Sequence, residues 1–344
     1  MTLSRRSRRR WLIILWVSVL SAIISAWFGV RVAPVEEWWV RSAVHGAITS
    51  IVIATPLLVM MVMGNSWALF RRLRRLPLPV YLAVRSGIYF FFIVGGLILV
   101  RVLLSEDIAS YINLSPLFRQ SLIFSLAMAL GLNLVFEIGG LLGLGTLGKL
   151  MTGRYVQPRT EHKTFLLIDM KNSTGLAERL GPVRFHELLN DFFRDVAHAA
   201  LECDAEIHKY VGDEAILTWP DSAGLEGGAV LACAFLALDT IASQRSAYLE
   251  RYGVVPEFRA ALHCGEIVAG EIGDLRREIA YVGDTLNVAA RLLDAAKQLG
   301  HDILASNDLL QRTRLPAGLR AIELPVLTIR GREAPLGIAA LARA

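Results

Sequence analysis

The chain has 344 residues, with 36 lysines and arginines against 31 aspartates and glutamates, a formal net charge of +5. At 54% hydrophobic residues and a mean hydropathy of +0.48, it is too apolar for an ordinary soluble protein and too long for one small domain. The basic excess does not point to nucleic acid, because the arginines cluster at the edges of apolar runs, where they suit anionic lipid headgroups.

In chain order, four apolar runs come first, at 11–30, 44–63, 80–104 and 122–147. Each can supply the roughly 20 helical residues that cross a hydrocarbon core. Arg5, Arg6, Arg8, Arg9 and Arg10 precede the first run, and Arg71, Arg72, Arg74 and Arg75 separate the second from the third. The positive-inside rule predicts that both clusters are cytoplasmic. The links around Glu36 and Glu37 and around Ser105 and Asp107 lack such clusters and are expected outside. Four crossings then put both termini in the cytoplasm, in a multi-pass protein of the inner (plasma) membrane surrounded by lipid. A cleaved export signal fits poorly, since the first run is long and no A-x-A site follows.

Arg101 lies at the outer end of the third run, whereas Arg85 and Glu137 fall within the third and fourth, in the same half of the bilayer. The expectation is that Arg85 snorkels to the inner surface while Glu137 faces a helix interface, although the two could pair. Gly139 and Gly143 form a small-xxx-small spacing that would let helices approach closely, in a dimer for example.

Residues 1–148 therefore read as a transmembrane helical domain, 149–162 as a linker in which Pro158 stops any continuing helix, and 163–344 as a soluble domain. Cys203, Cys233 and Cys264 lack metal-ligand spacing and are expected to be reduced thiols. The soluble part opens with the strand TFLLIDM, then helical stretches to Leu201, the second starting at Pro182. EIHKYV and EAILTW form a predicted hairpin through Gly212 and Asp213. A long helix over 225–251 follows, then the strands EFRAALHCG, EIVAGEIG and REIAYV, a helix from Thr285 to about Leu299 with Asp284 as N-cap, and short closing strands. This order predicts an α+β domain with helices packed on a largely antiparallel sheet.

Two aspartates open the chemistry. Asp169 ends an apolar strand and Asp213 sits in a tight turn, positions where an unpaired buried charge is costly. Converging carboxylates suit a pair of magnesium ions, which would activate a hydroxyl and steady phosphate oxygens; alternatively, each caps a turn. Asn287 and Arg291 share a helix face at i, i+4, and such a pair can orient a ribose and stabilise phosphoryl charge. The plainer alternative is a solvated face with Arg291 paired to Asp294. Lys209 shares strand parity with Ile207 and Val211, where it either meets a base edge or lays its stem along the sheet.

The segments FLLIDM…STGLAERLG, HKYVGDEA, FRAALHCGEIVAGEIG and YVGDTLNVAARL, in this order, resemble the catalytic domain of class III adenylate cyclases over about 155–336. The resemblance includes the spacing of 44 residues between Asp169 and Asp213. It implies a ferredoxin-like α+β catalytic domain that makes 3′,5′-cyclic AMP and pyrophosphate from ATP, with two Mg²⁺ or Mn²⁺ ions per site. It implies Asp169 and Asp213 as metal ligands with the Met170 carbonyl, Lys209 as the adenine-recognising residue, and Asn287 and Arg291 as ribose-orienting and transition-state residues. Arg259 matches a triphosphate contact, and Arg332 or Arg330 a further phosphate-binding position. Such enzymes divide each site between two subunits, so a homodimer is expected. One departure is Ala280, seven residues before Asn287, where adenylate cyclases usually carry Asp or Thr beside the adenine. Alanine offers no side-chain hydrogen bond, which leaves room for a guanylate or mixed-specificity cyclase, or a catalytically silent signalling receptor. YVGDEAI also echoes the diguanylate cyclase signature, but Val211 breaks its glycine pair.

Overall fold

The computed structural model describes residues 5–32, 38–63, 73, 76–103, 116–220, 225, 228–275, 277–328 and 335–344. The chain divides into two compact units, Met1–Leu147 and Gly148–Ala344.

The first unit is helical: α1 (Arg5–Val32), α2 (Trp39–Met63), α3 (Leu78–Leu103) and α4 (Pro116–Leu142). All four contain stretches long and apolar enough to cross a membrane, at Trp11–Val32, Trp39–Met63, Ala83–Val100 and Phe118–Gly140. Glycines set how closely α1 and α2 pack. A Cβ on Gly29 would lie 2.5 Å from the Ser42 carbonyl oxygen, and one on Gly46 would lie 2.2 Å from that of Ser25. Small residues allow this approach where lipid provides no hydrophobic drive between helices.

Two expectations for this unit need correction. Arg85 does not snorkel: it is 6% exposed and forms an ion pair with Glu137. Its Nη1 also donates to Tyr81 Oη at 2.7 Å and its Nε to Tyr89 Oη at 2.5 Å, while Tyr89 donates to Asn133 Oδ1 at 3.2 Å. An inward arginine wins because three polar partners on α3 and α4 offset its desolvation. Gly139 and Gly143 do not share one helix, since α4 stops at Leu142 and Gly143 takes φ +84° before α5 (Leu144–Met151). The clusters at Arg71–75, the links around Glu37 and Asp107, and Arg330 and Arg332 lie outside the described residues.

The second unit comprises β1 (Arg159–Met170), α6 (Ser173–Leu180), α7 (Pro182–Glu202), β2 (Glu206–Val211), β3 (Glu214–Pro220), α8 (Ala229–Ser243), α9 (Arg245–Tyr252), β4 (Phe258–Ile272), β5 (Glu278–Val282), α10 (Asp284–Leu299), β6 (Ile303–Ser306), α11 (Asn307–Leu310), β7 (Leu319–Leu327) and β8 (Leu336–Arg343). The sheet order is β2-β3-β1-β4-β6-β8-β7, with β5 pairing β4. All pairings are antiparallel except β4 with β6. Side chains alternate along β1. Leu166 and Ile168 pack with Phe192 and Val196 of α7 and Leu231 of α8, while Phe165 and Leu167 pack with Val288 and Leu292 of α10. Both faces of the strand are covered, which is why it reads as an unbroken apolar run.

Several element boundaries differ from the sequence reading. Strand β1 starts at Arg159, inside the stretch read as linker, because Arg159 to His162 pair with β4. The two strands expected on either side of Gly265 are one, β4. The glycine serves close packing instead, since a Cβ there would lie 2.6 Å from Thr285 Oγ1. The helix expected over 225–251 is two, α8 and α9, meeting at Gln244. Asp284 is the first residue of α10, and the N-cap is Gly283 with φ +151°.

Candidate active site

The fold brings Asp169 and Asp213 together. Strand β1 delivers Asp169 opposite Glu214 of β3 and Arg259 of β4. Asp213 occupies the two-residue turn between β2 and β3, which Gly212 permits with φ +63°. Burial and the adjacent Asp213 carboxyl raise the pKa of Asp169 to about 6. Glu214 rises to about 7 through burial and the charges of Asp169, Asp213 and Asp294. Lys297 and Arg259 pull Asp169 the other way through their fields, without reversing the shift. Arg259 Nε is buried with no hydrogen-bond partner. Clustered carboxylates beside an unsatisfied guanidinium nitrogen form a place that a cation–phosphate pair would stabilise. Met170 puts its side chain in the core, leaving only its backbone at the strand end.

Glu214 was missed by the sequence reading. The acidic doublet Asp213-Glu214 at a hairpin tip was the available signal.

Lys209 stands apart from the carboxylates, and its parity differs from expectation. A bulge at His208 sets Ile207 opposite Leu217 but Lys209 opposite Ile216. Leu217 and Ile216 belong to the cores on opposite faces, so Lys209 lies on the α10 side and Ile207 on the other. There His208 stacks on Tyr281 of β5 at 4.3 Å, and Lys209 Nζ lies 3.9 Å from Glu278 Oε1. Burial, together with the charges of Lys209, Lys149 and Lys163, lowers the His208 pKa to about 4. Ala280, 9% exposed, pairs with Gly270 and lies between these two contacts along β5.

Helix α10 buries Thr285, Val288, Ala289, Leu292, Leu293, Ala295 and Ala296. That apolar stripe leaves Asn287 and Arg291 exposed on the outer face. Arg291 Nη1 lies 3.7 Å from Asp294 Oδ2, the local pair anticipated as the plainer reading. Among the described residues, no ion pair or hydrogen bond joins Asp169 or Asp213 to Lys209, Asn287 or Arg291.

Residues 155–312 match the adenylate and guanylate cyclase catalytic domain family. Adenylate cyclase 2 of Rhizobium meliloti is 35% identical over 284 residues, covering 79% of this chain and 76% of that protein. The chain belongs to the class III adenylate and guanylate cyclase family. The likeness to the Rhizobium protein is longer than the whole second unit, so it reaches into the helical one. An adenylate cyclase of Anabaena cylindrica is 28% identical over 186 residues, 52% of this class III cyclase but 36% of that protein. Among solved structures, the adenylyl cyclase CyaB from P. aeruginosa aligns with a TM-score of 0.48 at 19% identity, over 55% of this chain and 97% of that one.

Proposed function

We propose that this membrane protein is an adenylate cyclase, converting ATP to 3′,5′-cyclic AMP and pyrophosphate in sites shared by the two subunits of a homodimer. The observation that carries the reading is the contact of Asp169 with Asp213, which together with burial raises the pKa of Asp169, beside the unsatisfied Arg259. Among the described residues, no group of three or more His, Cys, Asp or Glu side chains forms a metal cage. Two aspartates with open positions suit Mg²⁺ or Mn²⁺, which commonly take one or two carboxylates and complete their shell with substrate phosphates. When bound, two such ions would lower the pKa of the ribose 3′-hydroxyl and neutralise charge on the phosphates.

The chain's own residues divide the remaining work. Asp169 and Asp213, with the Met170 carbonyl, would hold the cations. Arg259 donates to the triphosphate, and Arg332 or Arg330 is assigned a second such contact. Lys209 donates to the base, Asn287 orients the ribose, and Arg291 leaves Asp294 to stabilise charge developing at the α-phosphorus. These last three belong to the partner subunit's contribution, which is consistent with the exposure of Asn287 and Arg291 and with the absence, among the described residues, of an ion pair or hydrogen bond from any of the three to the carboxylates. On this reading the termini and the catalytic unit are cytoplasmic, as the arginine clusters require.

A guanylate or mixed-specificity cyclase is the second reading, because Ala280 has no hydrogen-bonding side chain to offer a base. Cyclic AMP and cyclic GMP formation from ATP and GTP, assayed on the purified full chain with Mg²⁺ or Mn²⁺, decides between them. Cyclic AMP is expected to dominate. No product from either nucleotide with either metal would overturn the cyclase reading.

A further inference from the structure

Lys209 and Glu278 come from strands that do not pair with each other. Strand β2 is hydrogen-bonded to β3, and β5 to β4. Two contacts nevertheless bridge them, the His208–Tyr281 stack and the approach of Lys209 Nζ to Glu278 Oε1. At 3.9 Å the second is longer than a hydrogen bond. The ammonium and carboxylate therefore sit side by side without satisfying each other, with side chains 39% and 50% exposed and accessible to a third group. Glu278 and Ala280 point to the same side of β5. The side chain that position 280 lacks has an acceptor two residues away.

We infer that Glu278 sets the base preference of this cyclase: its carboxylate accepts from the adenine amino group while Lys209 donates to the neighbouring ring nitrogen. This rests on the nucleotide-cyclase reading above. An ammonium can only donate and a carboxylate only accept. Adenine presents one amino donor beside one ring acceptor, and the pair matches both. Guanine presents a carbonyl and a ring N–H in those two places, with its single amino group on the next ring carbon. With a base held by its ribose in one orientation, a backbone-fixed pair cannot exchange places to follow the reversed pattern. Water leaves the site when a base enters, so a pair worth little on an open surface gains weight on binding.

The test measures equilibrium binding of 3′-deoxy-ATP and 3′-deoxy-GTP, which cannot cyclise, to the full-length protein in detergent with Mg²⁺. The wild type is expected to prefer the adenine analogue. Glu278→Gln and Glu278→Ala, at an exposed strand position, should reduce that preference about tenfold, the scale of one charged hydrogen bond. A preference unchanged within about twofold in both variants overturns the inference, since discrimination worth a hydrogen bond would then be missing. A wild type that binds neither analogue overturns it too. Cyclic nucleotide formation by the wild type is scored separately and judges the cyclase reading alone, so each can fail without the other.

Discussion

Buried charge is handled in opposite ways by the two units. In the helical unit Arg85 closes on Glu137, Tyr81 and Tyr89, and Tyr89 on Asn133, so opposite charges and hydroxyls satisfy one another. In the catalytic unit like charges crowd together: burial and Asp213 raise the pKa of Asp169, burial and the charges of Asp169 and Asp213 raise that of Glu214, and Arg259 Nε is left without a partner. The first cluster is complete as it stands and holds helices together. The second is completed, on the proposed function, by a bound cation and phosphate. Burial with satisfaction marks structure, and burial without it marks a site.

That contrast can be broken experimentally. The largest effect is expected at the carboxylates. Asp213→Ala should lower turnover by about 10³-fold or more while the protein melts normally, because on the proposed function the lost group would hold the cation rather than the fold. Chelation should do the same reversibly. Arg291→Ala should cost about 10²–10³ in kcat with little change in KM, as expected for a group that acts in the transition state. In the helical unit the cost should appear in stability. Glu137→Leu, which strands a buried arginine, should destabilise by about 3–5 kcal/mol in detergent, whereas the double change with Arg85→Leu should cost less. If the single and double variants unfold alike, the cluster is not a satisfied pair.

The smallest effect concerns His208. Its pKa is depressed to about 4 from an ordinary 6.5, so above pH 6.5 neither folded nor unfolded chain is protonated there. Below that, the unfolded chain takes up a proton that the folded one refuses. Stability should therefore fall as pH drops from about 6.5 to about 4 and then level off. His208→Phe should flatten that segment of the pH–stability curve. An unchanged slope would show that the ring is not held neutral by its burial.

Much of this was legible in the sequence. The four apolar runs, the hairpin around Gly212 and the helix carrying Asn287 and Arg291 follow from periodicity and turn chemistry, and the structure contains them. The misses came where tertiary contacts override local pattern. Alternation along EIHKYV puts Lys209 beside Ile207, and only the bulge at His208 turns it towards β5. Gly265 reads as a strand break until Thr285 is seen against it. Arg85 reads as a snorkelling residue until Tyr81, Tyr89 and Asn133 appear as its surroundings, a set scattered over two helices. Glu278 carries no motif at all, and its interest comes from a strand that curls over to meet β2.

On the proposed function, each site draws its carboxylates from one subunit and its Arg291 from the other. Mixing the two dead variants, Asp213→Ala and Arg291→Ala, in one membrane tests it directly. Random pairing makes half the dimers mixed, each with one intact site, so recovery to about a quarter of wild-type turnover is predicted. Two inactive variants that dimerise with each other yet recover no activity would contradict it.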